Sequence, residues 1–384
     1  MKVAIVTDWI AFIGGAEKTL LEILKCFPDA DLYATIFSLD SEDQKLFGKT
    51  KIYTTFIQKL PFAKKKFEYY LPLMPLAIEQ TNLDKYDLII SSSFAFAKNV
   101  ITAPEQLHIS YVHSPIRYAW DMQNVYLANS HNMSSTIRGF FARLGLHYLR
   151  FCDLRSVNSV DNWLCNSNYV NSRINKYYNR NAQVIYPPVD FVEQSLSSSN
   201  QIKGKYYVTC SRLVEYKRVD LIIKAFNLNQ NRKLIVIGDG PMNKKLRSIA
   251  KKNKNIMLTG KIDDTQKHQI IANAEAFIYA AKEDFGICMV EAQALGVPVI
   301  AYGIAGALEI VVGIEEEAPT GLFFYQQTPE AILEAIDYFE QKKEKFVSAV
   351  CRLNATRFSA ERFRREFKES IENLWKNFLH TRKI

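Results

Sequence analysis

The feature that most constrains this chain is a segment in which a strand pattern, a glycine turn and a helix pattern follow one another. A strand is predicted over residues 276–280, a helix over 288–295 and a second strand over 298–302, with Gly296 and Pro298 ending the helix. Such a turn directs unpaired backbone N–H groups and the positive end of a helix at one spot. The segment therefore predicts a phosphate-binding turn.

Two carboxylates, Glu283 and Glu291, flank Gly286 in this segment. In one continuous helix they would lie about 12 Å apart along the axis. The glycine break instead lets Glu283 lie in the turn and Glu291 lie beside the phosphate position. One carboxylate can then bind a sugar, and the other can bind hydroxyl groups further along a ligand. By spacing alone, the pair is also typical of a solvated first turn that interacts with the helix dipole.

The surrounding sequence narrows these alternatives. Four segments of this region resemble the signature of the retaining glycosyltransferases of family 4. They are Glu-Asp-Phe-Gly at 283–286, Val-Glu-Ala at 290–292, Ala-Leu-Gly-Val-Pro-Val-Ile-Ala at 294–301 and Gly-Ile-Ala-Gly-Ala-Leu-Glu-Ile-Val at 303–311. The resemblance implies the GT-B fold, an α/β architecture of two Rossmann-like domains that face each other across a cleft. It also implies transfer of a sugar from a nucleotide-sugar donor.

The length and the order of elements also indicate two domains. A chain of 384 residues can form two cores, and strand-like segments alternate with helix-like segments along both halves. A polar, serine-containing stretch at 195–204 interrupts the alternation and predicts a linker. We therefore predict Rossmann-like domains at 1–194 and 205–359. The resemblance implies that the first binds the acceptor, that the second binds the nucleotide sugar, and that a final helix at 360–384 crosses back to the first.

Charge, cysteine use and hydropathy indicate the partners and the cellular location of the protein. The formal net charge is +9, and residues 341–384 carry 12 Lys or Arg against 5 Glu. A basic tail can bind nucleic acid or anionic lipid, or can form a solvated helix face; we predict no nucleic-acid partner. The six cysteines form no C-x-x-C pair and indicate buried thiols in a reducing compartment. With no signal peptide or long apolar run visible, the predicted location is cytoplasmic, peripheral at the inner face of the cell membrane.

Two basic residues, Arg212 and Lys217, follow a strand predicted over 206–210. A departing diphosphate needs fixed positive charge, which such side chains can supply without a metal ion. The resemblance assigns this pair to the donor diphosphate, and the alternative is exposed surface charge. Arg218 is a departure from the family pattern, because many relatives have glycine after the lysine. The departure predicts either an altered turn or an added charge, and it leaves Lys217 in place.

The first half offers further candidates. Gly14 and Gly15 open a predicted helix, where backbone can approach a ligand closely, although a plain turn is the alternative. His113 follows a buried strand at the edge where ligands bind in open α/β sheets, although a lone histidine is also commonly structural. The resemblance gives the glycines the opposite side of the diphosphate, and His113 a contact with the transferred sugar. Acceptor-binding candidates follow at Arg117, Tyr118 and Trp120.

The resemblance also assigns roles within the opening segment. It implies that Glu283 contacts hydroxyl groups of the transferred sugar and that Glu291 contacts the ribose. The implied catalytic residues are His113, Glu283, Arg212 and Lys217. Backbone contacts to the phosphates and the base are implied at Gly286, Ile287, Cys288 and Ile262. The resemblance implies no metal and no cofactor beyond the GDP- or UDP-linked donor, with the departing phosphate helping to remove the acceptor proton.

An aromatic and basic segment at 56–74, which contains four lysines, bears on the identity of the acceptor. Such segments can lie in a membrane interface, and 137–144 is a weaker candidate of the same kind. The alternative is ordinary packing on the first domain. Together with the family resemblance, the segment predicts an anionic membrane surface as a partner and a lipid-linked glycan as the acceptor.

These observations predict a retaining hexosyltransferase of polysaccharide biosynthesis. Paired carboxylates also occur in glycosidases, but a hydrolase has no diphosphate for Arg212 and Lys217 to neutralise. Mannose from GDP-mannose is the best candidate, because residues 111–115 with Arg117 and Trp120 resemble bacterial mannosyltransferases of surface-polysaccharide assembly. Two alternatives are a soluble transferase with a small acceptor and a non-catalytic scaffold of a polysaccharide assembly complex.

Overall fold

The computed structural model of the protein describes residues 1–129, 137–189, 205–251 and 253–382. The linker predicted at 195–204 lies outside these residues. Within the described ranges, no helix combines the length and the apolar character that crossing a bilayer requires.

The chain divides into two compact α/β units. Unit 1 comprises Met1–Pro188 and Ala360–Ile384, and unit 2 comprises Val189–Ser359. Val189, which the sequence places in the first domain, belongs to unit 2. Its N–H donates to the Phe358 carbonyl at 2.8 Å, a contact that no local sequence pattern shows.

Unit 1 is built on a parallel sheet with the strand order β3-β2-β1-β4-β5-β6-β7. Its strands are β1 (Val3–Ile10), β2 (Asp31–Phe37), β3 (Ile52–Thr54), β4 (Leu88–Ser93), β5 (Leu107–Val112), β6 (Asn162–Cys165) and β7 (Gln183–Val184). The three neighbours β1, β4 and β5 are buried along nearly their whole length, as expected for strands covered on both faces. Gly14 and His113 lie beyond the carboxyl ends of β1 and β5.

Helices cover the sheet of unit 1. They are α1 (Gly15–Cys26), α2 (Ser41–Gln44), α3 (Met74–Glu79), α4 (Gln123–Asn129), α5 (Ile137–Ser156) and α6 (Asn168–Tyr178). In α1, Leu20, Ile23 and Leu24 are buried in the core of the sheet at the spacing of an amphipathic helix. Asn179 adopts the left-handed conformation that commonly ends a helix, and it terminates α6.

Unit 2 has a second parallel sheet, with the order β10-β9-β8-β11-β12-β13. Its strands are β8 (Tyr207–Cys210), β9 (Leu234–Ile237), β10 (Ile256–Gly260), β11 (Phe277–Tyr279), β12 (Val299–Tyr302) and β13 (Gly321–Phe324). Its helices are α7 (Val219–Leu228), α8 (Asn243–Ala250), α9 (Asp264–Ala272), α10 (Ile287–Ala294), α11 (Ala307–Ile310), α12 (Pro329–Gln341) and α13 (Ser348–Ala355). Because β8 pairs with β11, the loops that follow these two strands meet at one edge of the sheet.

The last helix, α14 (Ala360–Thr381), packs on unit 1. Phe363, Phe367 and Ile371 are fully buried in the same core as β1 and β5. Both phenylalanine rings meet the Tyr111 ring of β5, with centroids 5.9 Å apart. Each such side chain contributes about 1.5–3 kcal/mol when it is fully buried, so the apolar stripe fixes α14 to this sheet.

Candidate active site

Lys217 and Glu283 form an ion pair in unit 2, with 2.7 Å between Nζ and Oε1. The Lys217 Nζ also donates to the Tyr279 hydroxyl at 2.9 Å. Lys217 ends a 3-10 turn (Glu215–Lys217) after β8. Tyr279 is the last residue of β11, and Glu283 lies in the loop that follows. The pairing of β8 with β11 thus brings a cation and a carboxylate together.

The surroundings of Lys217 hold it in its charged form. Burial lowers the pKa of Lys217, but Glu283 and the nearby Tyr279 and Tyr216 raise it. The resulting pKa is well above the ordinary value for lysine. The Nζ atom lies 5.4 Å from the ring centroid of Tyr216 and 5.5 Å from that of Tyr279, where aromatic rings attract a cation. Lys217 therefore supplies a permanent positive charge, which suits a phosphate group.

Gly286 forms the turn that precedes α10. Its φ of +106° lies in the left-handed half of backbone space, which side chains disfavour. A Cβ atom at this position would lie 2.3 Å from the Met289 Cε, so only glycine fits without a shift. Ile287 and Cys288 begin the helix, and amides in a first turn have no partner within the helix. This end of α10 is therefore suited to an anion.

Cys288, in the first turn of α10, interacts with Cys210, Lys217, Lys267 and Glu291. A hydrogen bond with the thiol of Cys210 lowers the pKa of Cys288 against the effect of burial, and Lys217 and Lys267 lower it further. The same hydrogen bond, together with burial, raises the pKa of the Cys210 thiol at the end of β8. Cys288 and Cys26 are partly exposed, whereas the other four cysteines are buried as predicted. The two lysines bring positive charge to this turn, and each is paired with a carboxylate, Lys217 with Glu283 and Lys267 with Glu291.

Glu291 lies further along α10, and its carboxylate contacts a lysine. Its Oε2 atom is 3.5 Å from the Nζ of Lys267, which also lies 2.9 Å from the Oδ1 of Asp264. Burial lowers the pKa of Lys267, but Glu291 and Asp264 raise it above the ordinary value. Because Lys267 and Asp264 belong to α9, the ion pair joins α9 to α10.

The remaining donor candidates of unit 2 lie in loops after strands. Arg212 is exposed after β8, and Ile262 is half-buried after β10. Arg218 has a φ of +54° and a ψ of +30°, the left-handed conformation that glycine adopts without strain. Its Nε lies 3.5 Å from the Oδ1 of Asp220. The arginine therefore keeps the backbone conformation that glycine favours at this position and adds a charged contact.

In unit 1, Gly14 precedes the first residue of α1, Gly15, and its N–H donates to the Glu17 Oε2 at 3.0 Å. The glutamate at the third helical position thus closes the turn onto the residue before the helix. A Cβ atom at Gly14 would lie 3.0 Å from that oxygen and 3.1 Å from the Phe12 ring. Burial raises the pKa of Glu17 to about 7 against hydrogen bonds from the backbone of Glu17 and Gly14, and Asp8 adds to the rise.

His113 is buried just beyond β5. Its Nε2 lies 2.8 Å from the Oγ of Ser92 in β4, and its carbonyl accepts from the Asn166 side-chain amide at 2.9 Å. The imidazole packs edge-on against the Tyr111 ring, with centroids 5.1 Å apart. Burial lowers the pKa of His113 to about 3, so the ring is neutral at physiological pH. It can therefore exchange a hydrogen bond with a hydroxyl group but supplies no charge.

The acceptor-binding candidates belong to the packed part of unit 1. The Trp120 indole N–H donates to the Asp153 Oδ2 at 2.7 Å, and its ring stacks on Tyr177 at 4.7 Å. The Tyr118 hydroxyl is buried, and Arg117 is half-exposed. Binding of an acceptor by these side chains stays a prediction.

Several side chains that contact the candidates are absent from the sequence-based prediction, namely Glu17, Ser92, Lys267 and Tyr279. Glu17 carries a signal, because it occupies the position after Gly14 where a capping-box glutamate is expected. Lys267 carries none, because it is one of several polar residues of α9. Among the residues that the structure describes, no group of three or more His, Cys, Asp or Glu could hold a metal ion.

Comparison with known proteins identifies both halves of the chain. The family described as Glycosyltransferase Family 4 matches residues 13–193, and Glycosyl transferases group 1 matches residues 193–350. An uncharacterised glycosyltransferase of Methanocaldococcus jannaschii is 25% identical over 356 residues, which cover 89% of this chain and 90% of that protein. The alpha-1,3/1,6-mannosyltransferase ALG2 of Kluyveromyces lactis is 22% identical over an alignment of 438 residues, gaps included. The alignment covers 95% of this chain and 84% of the ALG2 chain.

Solved structures give the same result for the fold. The Anabaena protein HepE in complex with UDP and glucose matches with a TM-score of 0.66 and 17% identity, over 97% of this chain and 99% of its own. This likeness, together with the two parallel sheets, confirms the predicted pair of α/β domains. The chain belongs to the GT-B glycosyltransferases, with a family 4 domain followed by a group 1 domain.

Proposed function

We propose that this glycosyltransferase moves a hexose from a nucleotide sugar to a lipid-linked oligosaccharide in polysaccharide biosynthesis, with retention of configuration and without a metal ion. The observation that carries the proposal is the cluster of Lys217, Glu283 and Glu291 around the first turn of α10. The cluster offers a fixed cation, helix amides and two carboxylates. These are the groups that a diphosphate and sugar hydroxyls require.

Each group of the proposed donor site has a separate role. Lys217, together with Arg212, stabilises the negative charge that develops on the diphosphate as its bond to the sugar breaks. Glu283 accepts hydrogen bonds from hydroxyl groups of the transferred sugar, and Glu291 accepts them from the ribose. Backbone contacts to the donor are proposed at Gly14, Gly15, Ile262, Gly286, Ile287 and Cys288.

His113 is proposed to bind a hydroxyl group of the transferred sugar. Its neutral imidazole, fixed by Ser92, orients the sugar without adding charge. In substitution with retention, the acceptor attacks from the side on which the phosphate leaves, and a departing phosphate oxygen accepts the acceptor proton. The protein then needs to hold donor and acceptor in the reactive geometry, which lowers the entropic part of the barrier.

GDP-mannose is the proposed donor, and a UDP-linked sugar is the alternative. The first choice is supported by ALG2 of Kluyveromyces lactis, whose name is that of a mannosyltransferase. The second is supported by HepE, whose structure contains UDP and glucose. The cluster around α10 serves either nucleotide, because it contacts the diphosphate, the ribose and the sugar rather than the edge of the base.

The lipid-linked acceptor is proposed from the surface of α5. Large apolar side chains that are exposed on this helix include Leu154 and the five that we name the α5 face, which are Phe140, Phe141, Leu144, Tyr148 and Phe151. Their spacing puts them within about 100° of the helix circumference. The acidic residue of α5, Asp153, is fully buried, so the exposed surface of the helix is apolar and basic. This composition fits the interface of an anionic bilayer.

The aromatic and basic segment at 56–74 lies beside α5. Ile57, Ala63 and Met74 share one apolar cluster with Leu149, on the buried side of α5. Phe62 and Tyr69 point outward and are 77% and 74% exposed. We propose that this segment and the α5 face together hold the enzyme at the inner face of the cell membrane, where a lipid-linked glycan presents its sugar.

The donor proposal is tested by adding GDP-mannose, UDP-glucose and ADP-glucose to the protein in a thermal-shift assay. GDP-mannose should raise the melting temperature most, and proton NMR of the reaction product should show the anomeric configuration of the donor. A product of inverted configuration would contradict retention. The absence of any shift with all three sugars would contradict the proposed donor class.

A further inference from the structure

Lys267 is a partly buried cation beside the proposed ribose contact. Its side chain is 13% exposed, and its Nζ lies 3.5 Å from the Oε2 of Glu291, which is 12% exposed. The same Nζ lies 2.9 Å from the Oδ1 of Asp264, whose side chain is 69% exposed. Lys267 therefore connects a solvated carboxylate on its own helix with a shielded carboxylate on α10.

The two contacts differ in what they contribute. The pair with Asp264 is a local, solvent-screened contact within one helix, and such pairs stabilise little. The pair with Glu291 is shielded, and burying two charges costs desolvation energy that their attraction offsets only in part. A shielded pair of this kind is weak evidence for a stabilising role. Its position beside the first turn of α10 suggests a role in binding instead.

We propose that Lys267 is a positioning residue that orients the Glu291 carboxylate toward a ribose. The contact at Oε2 restrains rotation of the carboxylate, so Glu291 presents a fixed acceptor to the neighbouring 2′- and 3′-hydroxyl groups. Without the lysine, the carboxylate can turn away, and the preference for ribose over 2′-deoxyribose is lost. This inference rests on the proposed function, in which Glu291 binds the ribose.

The experiment compares nucleotides that differ by one hydroxyl group. Dissociation constants of GDP, 2′-deoxy-GDP, UDP, 2′-deoxy-UDP and inorganic pyrophosphate are measured by calorimetry for the wild type and for Lys267→Met. The wild type should prefer each ribonucleotide over its deoxy form by about 10-fold or more, as expected for hydrogen bonds to a charged acceptor. Lys267→Met should reduce this preference to within about 2-fold and leave pyrophosphate binding unchanged.

Two further variants separate positioning from structure. Lys267→Arg keeps the charge and should restore most of the preference, which a loss of packing alone does not predict. Lys224→Met removes a lysine from an exposed pair with Asp220 on α7 and should leave all five dissociation constants unchanged. If Lys267→Met does not fold, Lys267→Leu, which likewise has no donor for Glu291, provides the same comparison.

Three results would overturn the inference. A ribose preference that stays at the wild-type value in Lys267→Met would assign the lysine to structure. A parallel loss of pyrophosphate binding would assign it to the phosphates. A wild-type protein that binds neither GDP nor UDP would overturn the proposed function, and this inference with it.

Discussion

The Nζ atom of Lys217 lies 2.7 Å from the Oε1 atom of Glu283, and the two side chains are only 15% and 10% exposed. They come from different loops, which meet because β8 and β11 are neighbours in the sheet. Shielded charges of opposite sign depend on one another, since the loss of either leaves the other desolvated and uncompensated. The relationship joins the cation proposed for the diphosphate to the carboxylate proposed for the sugar.

Replacing Lys217 by alanine should lower the rate of sugar transfer by about 10²-fold or more, because it removes charge that stabilises the departing diphosphate. It should also destabilise unit 2 by about 3 kcal/mol, because Glu283 is left without its cation. Transfer is measured by product formation from a labelled nucleotide sugar, and stability by urea unfolding. Lys224→Ala is the matched control, since its pair with Asp220 is exposed. Unchanged turnover in folded Lys217→Ala would contradict the assigned role.

Arg218→Gly should stabilise unit 2 by about 0.5–1 kcal/mol. Arg218 adopts the left-handed conformation, which costs most residues about 1–2 kcal/mol and costs glycine almost nothing. Part of this gain is offset by the lost contact with Asp220 and by the greater freedom of glycine in the unfolded chain. Urea unfolding measures the change. Arg218→Ala keeps the Cβ and should show no gain, so equal behaviour of the two variants would argue against backbone strain.

Several elements could be predicted because local patterns mark them. The helix after Gly286 is predicted at 288–295 and lies at Ile287–Ala294, since a glycine turn begins it and an apolar pattern continues it. The apolar run near the start of the sequence predicts a strand at 3–7, but β1 continues to Ile10. The difference arises at Asp8, whose buried carboxylate accepts backbone N–H groups from the loop after β4. A carboxylate interrupts a strand pattern, and its distant partners are invisible in the local sequence.

Individual side-chain contacts between elements could not be predicted, whereas the packing of α14 on unit 1 was implied by the family resemblance. The pairing of Lys267 with Glu291 depends on how α9 packs on α10, and no spacing in the sequence records it. The α5 face gives the converse case. Its apolar periodicity is also typical of a helix that packs into a core, because periodicity does not show whether anything covers that side. The structure leaves this face exposed. The α5 face is therefore the stronger candidate for a membrane contact, and the segment at 56–74 lies next to α5.

Glu17 should make unit 1 less stable at high pH. Its pKa of about 7 in the folded protein lies above the ordinary value of 4.5, so the folded state holds the proton more tightly. The stability that this provides is present below pH 4.5 and is lost as pH rises from 4.5 to 7, at a cost of about 3 kcal/mol. In Glu17→Gln, the side-chain oxygen can still accept from the Gly14 N–H, but the side chain carries no charge to desolvate at high pH. The substitution should therefore raise the free energy of unfolding at pH 8 but not at pH 4.5. Urea unfolding at both values measures this, and equal effects at both would contradict it.

His113 should have the opposite pH dependence. Its pKa of about 3 lies below the ordinary 6.5, so the unfolded chain binds the proton more readily and stability falls as pH decreases from 6.5. Between pH 6.5 and 5 this amounts to about 2 kcal/mol. His113→Gln should flatten the dependence in urea unfolding. The His113 imidazole signal, assigned by its absence in this variant, should not titrate between pH 5 and 8 in NMR spectra. A titration in that range would contradict a buried, neutral ring.

The α5 face should anchor the protein to anionic bilayers. Replacing Phe141 and Phe151 by glutamate puts two charges where the apolar side chains would enter the interface, and should abolish flotation with phosphatidylglycerol vesicles. Leu353→Glu is the matched control, because Leu353 is 70% exposed on α13 of unit 2 and lies outside the proposed surface. It should float as the wild type does. Loss of flotation in this control as well would show a general effect of added negative charge.

The lysines of the segment at 56–74 provide the electrostatic part of the same prediction. Lys64, Lys65 and Lys66 are exposed, and reversing all three to glutamate should weaken vesicle binding by about 10²-fold or more. Their contribution should disappear at high salt, whereas the apolar contribution of Phe141 and Phe151 should persist, because salt screens charge but not apolar burial. Flotation at low and high ionic strength separates the two. A wild-type protein that does not float would contradict a membrane partner and favour a small, soluble acceptor. Flotation that neither set of changes reduces would contradict binding through these two surfaces.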